Sequence, residues 1–186
     1  MKKLVMAVAL AVVAGVQTTA QGLIDFRNRI TGTLDVPVFD VDGVTPLAGP
    51  DYVAQLYFSL TQAGSYTPVS GAPAVFRTGA GAGYWNAGTD STRVLFGIQA
   101  GSTAWLQVRV WDGTCLEPYP GPGNCGGYYG MSTPFSVVAG GTPPIGAPLT
   151  PAVMLGLASF RLVPEPSTIA LGVLGVAGLW FLSRFR

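Results

Sequence analysis

Cys115 and Cys125 are the two cysteines of the chain, and no histidine stands anywhere in its 186 residues. Without imidazole, neither a Ser-His-Asp nor a Cys-His nucleophile can be assembled, and the commonest ligand for zinc or copper is missing. The cysteines bracket a loop rich in glycine and proline. In an exported protein such a pair reads as one disulfide closing the loop, contributing about 2–3 kcal/mol, largely by restricting the unfolded chain. A reactive thiol is the lesser alternative.

The remaining chemistry rests on carboxylates and aromatic rings. Between the chain ends the acids are Asp25, Asp35, Asp40, Asp42, Asp51, Asp90, Asp112 and Glu117. Asp40-Val41-Asp42-Gly43 sets alternating acids at a glycine turn, as a hard cation would require. The rest of an EF-hand loop does not follow, so a plain turn is the simpler reading. No metal and no other cofactor is expected. A glycosidase needs two facing carboxylates, and the sequence singles out no pair, so the chain is expected not to be an enzyme. Trp105, Trp111, Tyr119, Tyr128 and Tyr129 gather around the cysteine loop. Flat rings of this kind stack on sugar faces, which makes a polysaccharide contact one reading. The other is that Trp105 and Trp111 cover one face of a sheet.

The elements that would carry these side chains read as β-strands. Residues 21–163 contain no lysine, and their charge is slightly negative. No basic patch suits nucleic acid, whose binding depends on clustered Lys and Arg. Glycine, proline, serine and threonine are abundant, as short strands and many turns require. Thr103 to Trp111 alternates best, with Ala104, Leu106, Val108 and Val110 on one face. Tyr52 to Leu60 puts Tyr52, Ala54, Leu56, Phe58 and Leu60 on one face in the same way. Leu23–Asn28, Val36–Val41, Ala74–Thr78, Arg93–Ile98, Phe135–Val138 and Ala158–Leu162 complete the set, with Pro37 marking an edge. Short strands at this spacing predict an all-β sandwich or jelly roll.

Both termini read as addresses. Lys2 and Lys3 precede an apolar stretch, Leu4 to Val16, and then Gln17-Thr18-Thr19-Ala20. That is the layout of a secretory signal peptide over residues 1–20, cleaved between Ala20 and Gln21. A retained membrane helix is the alternative, for which an apolar core of about 13 residues is short. At the other end, Pro164-Glu165-Pro166-Ser167-Thr168 leads into an apolar run from Ile169 to Leu182, closed by Arg184 and Arg186. Ser167 to Phe185 would make a helix of roughly 28 Å, enough for a thin bilayer core. The transmembrane helix is placed at about 167–183 and the basic stop at 184–186.

This tail closely resembles the PEP-CTERM sorting signal of Gram-negative envelope proteins. Pro164, Glu165 and Pro166 match its motif, and Arg184 and Arg186 match its basic end. The resemblance implies processing by signal peptidase and by exosortase, an integral-membrane cysteine protease or transpeptidase, near the Pro-Glu-Pro motif. An ordinary C-terminal anchor has the same topology without cleavage. The stretch between, 21–163, is similar to a recurring type of PEP-CTERM protein of Verrucomicrobia-like bacteria. It shares Phe26-Arg27-Asn28-Arg29, the segment Asp42 to Tyr52, Gln107 to Asp112, Tyr129-Gly130 and Ser132 to Phe135. These resemblances imply an exported β-rich body, held first in the inner membrane and then delivered to the cell surface or matrix. They imply no activity. A structural or adhesive role is therefore expected, with a secreted carbohydrate-binding module or carbohydrate-active enzyme as the alternative, and extracellular polysaccharide as a partner in either case.

Overall fold

The computed structural model describes residues 21–115 and 127–164. The expected signal peptide, Glu117, Tyr119, Cys125 and the tail from Glu165 onward lie outside the described residues. Among the described residues no helix is long and apolar enough to cross a membrane; the expected membrane helix is not among them.

What is described is all-β. The first strands are β1 (Gln21–Asp25), β2 (Arg29–Ile30), β3 (Leu34–Asp35), β4 (Tyr52–Ser59), β5 (Thr67–Pro68), β6 (Ala74–Phe76) and β7 (Trp85–Asn86). They are followed by β8 (Thr92–Gln99), β9 (Thr103–Asp112), β10 (Tyr128–Met131), β11 (Phe135–Val138), β12 (Ala152–Val153) and β13 (Val163–Pro164). A small sheet runs β12-β1-β8, with β12 parallel to β1. The large sheet runs β13-β10-β9-β4-β6-β7, with β11 also on β9 and β5 on β4. Strands β2 and β3 form a separate hairpin. Residues of both larger sheets enter one hydrophobic cluster, an arrangement consistent with a β-sandwich.

The alternation of β9 explains why it sits at the centre of the large sheet. Ala104, Leu106, Val108 and Val110 are all fully buried, and they meet Ala54 and Leu56 of β4 across the ladder. Strand β4 follows its expected pattern only in part. It ends at Ser59, which leaves Leu60 71% exposed, and Tyr57 on the opposite face is buried as well. The Arg109 guanidinium lies 4.2 Å above the Tyr57 ring and accounts for that cover.

Three expected strands are corrected. Val36–Val41 is not a ladder: Phe39 alone bridges, to Pro46 and to Arg161. Pro37 has no N–H to donate, while Val38 is held by its own N–H to Gly83 O and by Leu47 N–H to Val38 O. Ala158–Leu162 contributes only the Arg161 bridge, and pairing resumes at Val163–Pro164. Strand β1 stops at Asp25, because Phe26 and Asn28 turn inward to close the core.

The segments Phe26-Arg27-Asn28-Arg29 and Ser132 to Phe135 thereby acquire structural roles. Phe26 stacks on Trp85 with centroids 4.9 Å apart, and Trp85 Nε1 donates to Phe26 O at 3.0 Å. Asn28 is 1% exposed and satisfies three backbone groups: its Nδ2 donates to Val36 O and Gly83 O, and its Oδ1 accepts from Trp85 N. Ser132 plays the same part between β10 and β11. Its Oγ accepts from Val108 N, and its N–H donates to Val108 O. A buried side chain that replaces missing ladder partners is what permits such breaks in a sheet.

Among the described residues Asp25 is the buried acid. Burial pushes its carboxyl up, but hydrogen bonds from Arg27 and from Ser91 Oγ (2.6 Å) outweigh that and hold it below the usual carboxylate range. Arg27 also forms an ion pair with it. A depressed folded value means the contribution is complete above the ordinary carboxylate range and is lost as the pH falls through the folded value. The thermal midpoint is therefore expected to drop below about pH 4. In Asp25→Asn that acid limb becomes shallower; an unchanged limb in thermal melts would remove Asp25 from the explanation.

Candidate functional site

Most of the described carboxylates build their own turns. Asp42 Oδ1 accepts from Val44 N and Thr45 N, both at 2.9 Å, and its other oxygen takes the Thr45 hydroxyl. These bonds lower the Asp42 carboxyl from its ordinary value, and Gly43 supplies the positive φ of 72° that the turn needs. Asp90 caps Thr92 N, Asp112 holds Thr114 N and Oγ1, and Asp40 accepts from Val41 N. Asp35 accepts the Tyr84 hydroxyl, and Arg29 lies over the same ring. No group of three metal-ligating side chains occurs among the described residues. Local hydrogen bonds fold the Asp40-Val41-Asp42-Gly43 segment into a turn.

The outward face of the large sheet is the better candidate, and it is built in rows. Val163 of β13 pairs with Tyr129 of β10, Tyr129 with Trp111 of β9, Trp111 with Val53 of β4, and Val53 with Val75 of β6. Directly paired residues share a face, so these five form one apolar and aromatic row across five strands. The next row is Met131, Arg109 and Gln55. Gln107 and Tyr57 come after it, and then Ser136, Trp105 and Ser59. Arg109 Nε donates to Gln107 Oε1 at 2.9 Å, and burial lowers the guanidinium from its ordinary value.

Of the aromatic residues expected to contact polysaccharide, the four described ones, Trp105, Trp111, Tyr128 and Tyr129, do not form a single strip. Trp111 is only 4% exposed, and its Nε1 donates to Cys115 O at 3.2 Å, so it offers no open ring. Trp105 is half-buried and six residues along the strand from Trp111, roughly 20 Å. Tyr128 and Tyr129 are adjacent in one strand and so face opposite ways. Tyr128 lies instead near Tyr52. Burial raises the Tyr52 hydroxyl above its ordinary value, and Asp40, Asp112, Tyr128 and Asp51 add to the rise.

Of the expected processing positions, the described Gln21 and Pro164 sit at strand ends. Gln21 opens β1 directly and is exposed, while Ala20 lies outside the described residues. Leu162 is 1% exposed and is held by its N–H to Phe39 O. Val163 and Pro164 then pair with Tyr129 and Tyr128, and both are exposed. Glu165, Pro166, Arg184 and Arg186 lie outside the described residues. No free cysteine occurs among the described residues; Cys125, the expected partner of Cys115, lies outside them. Comparison of the chain with protein-family models, with curated proteins and with solved structures found no match.

Proposed function

We propose that the chain is an exported, non-catalytic component of a bacterial surface layer or extracellular matrix. Its β-sandwich or jelly-roll body is sorted through the C-terminal PEP-CTERM-like tail. The observation that carries this reading is the transition at Leu162. The body closes on a buried leucine, and within two residues the chain is exposed at a sheet edge with the first residue of the motif. A processing enzyme in the membrane would therefore meet Pro164-Glu165-Pro166 without unfolding the core. Local use of the carboxylates supports a structural over a hydrolytic role. A Cys115–Cys125 disulfide would suit the oxidising destination.

Intact-mass measurement of the protein recovered from membrane and from medium tests the sorting route. The released form is expected to begin at or near Gln21 and to end near Val163. Full-length, membrane-bound material alone would replace sorting by a permanent anchor.

A further inference from the structure

Strand β8 is the longest described strand that pairs on one side only: its 8 residues meet β1, and no other described strand reaches them. The ladder tells which of its backbone groups are left over. Leu23 exchanges both its hydrogen bonds with Gly140. In the Leu23–Val94 pair neither residue therefore bonds the other, and the Val94 N–H and C=O point away from β1. Phe26 N–H bonds Ser91 O, which fits the same alternation, and Phe96 repeats the direction of Val94. Among the described residues no backbone hydrogen bond from outside the β1–β8 ladder reaches either one. Native sheets blunt such an edge with charge or proline. Here it carries Val94, Leu95 and Phe96, and Phe96 is 56% exposed beside an open groove of about 510 Å³ that it lines with Phe58 and Leu60.

Both ends of this open window are closed by the chain itself. Thr92 N–H is taken by Asp90 Oδ1 at 2.8 Å, and Thr92 O by Arg93 Nη1 at 3.1 Å. Beyond Phe96 the strand bulges: Gly22 pairs with Leu95 but Gln21 with Gln99, and Gly97 takes a φ of 82°. An added strand can therefore bond only at Val94 and Phe96, and it must offer donors and acceptors at the same two-residue spacing. A second copy of β8 does so when it runs antiparallel about a twofold axis at Leu95. Val94 of each copy then meets Phe96 of the other, and the open groups satisfy one another. Charge selects this register. An axis at Arg93 would set two guanidiniums directly opposite, and an axis at Val94 would pair Phe96 with the occupied Thr92. With the axis at Leu95, Arg93 lies opposite Gly97, beside which the space is open. We infer that the protein self-associates through β8 into a closed twofold pair, in which the 3-stranded sheets of two copies continue as one. Each exposed Phe96 is covered by Val94 of the other copy, an apolar cross-strand contact. Pairing through β8 uses no residue of the sorting tail, so it stands whichever way that route is decided.

Opposite charges at the two positions test both the contact and its register. Full-length protein carrying Val94→Glu or Phe96→Lys is followed by sedimentation equilibrium in a non-ionic detergent, each variant alone and the two in equimolar mixture. The parent is expected to be a dimer. Each single substitution sets a charge against an apolar partner twice across the axis and should weaken the dimer roughly tenfold. The mixture should regain it, because one carboxylate then meets one ammonium across the axis while the other contact remains Val94 with Phe96. A monomeric parent, or one that assembles beyond the dimer, would overturn the closed pair. Single variants that dimerise as tightly as the parent, or a mixture no tighter than its components, would overturn it equally. A matching thermal midpoint certifies each variant. Should Val94→Glu melt early, Phe96→Lys at its exposed site decides alone, and dimerisation unchanged from the parent sinks the proposal.

Discussion

Trp85→Ala is expected to destabilise the protein by about 3–5 kcal/mol, the range for emptying a large aromatic site in a core. Trp85 is 2% exposed, stacks on Phe26 and meets Phe76 edge-on at 6.2 Å. The substitution also removes the donor to Phe26 O, leaving a buried carbonyl without its partner. Domains of this kind have about 5–15 kcal/mol in total, so the variant should lose a large part of its margin. Denaturant titration followed by circular dichroism measures it. A midpoint within error of the parent would show that Trp85 is not the centre of the core. Trp85→Phe should recover part of the loss, because stacking returns while the hydrogen bond does not.

The second large effect is steric. A methyl group at Gly140 would sit 2.0 Å from Thr150 O and 2.7 Å from Thr150 C. These are backbone atoms and cannot rotate aside. Gly140 also exchanges two 3.0 Å hydrogen bonds with Leu23. Gly140→Ala must therefore push away either β1 or the segment leading into β12, and both belong to the small sheet. A loss of about 3 kcal/mol is expected, at the upper end of overpacking costs. Amide exchange should accelerate first at Leu23 and Ile24. Full protection of those amides in the variant would refute the close approach.

The legible parts of the fold are those with a period. Strand β9 could be read because four buried apolar positions alternate without interruption, and β4, β8 and β11 lie close to their expected limits. Two-residue strands such as β2, β7 and β13 are too short to have a period at all. Asn28 and Ser132 look like turn residues in a sequence, and only tertiary packing turns them into substitutes for ladder partners. The candidate site shows the same division. That aromatic residues cluster near the cysteine loop is plain from spacing. Which rings are covered is not, since Trp111 and Trp105 have the same strand parity and differ in exposure through contacts from elsewhere. The apolar row depends on registers across five strands, and no stretch of sequence displays those.

The first strand of the body has its neighbours far downstream. Gln21–Asp25 lies between β8 and β12, and Ile24 pairs with Ala152 near the opposite end of the body. Closing such a long loop is slow. An exported chain emerges N-terminus first, so its leading segment must wait until nearly all that follows has been threaded through the translocation channel. On the proposed export route the body would stay pliable during transit, and its small sheet would be completed only on the far side.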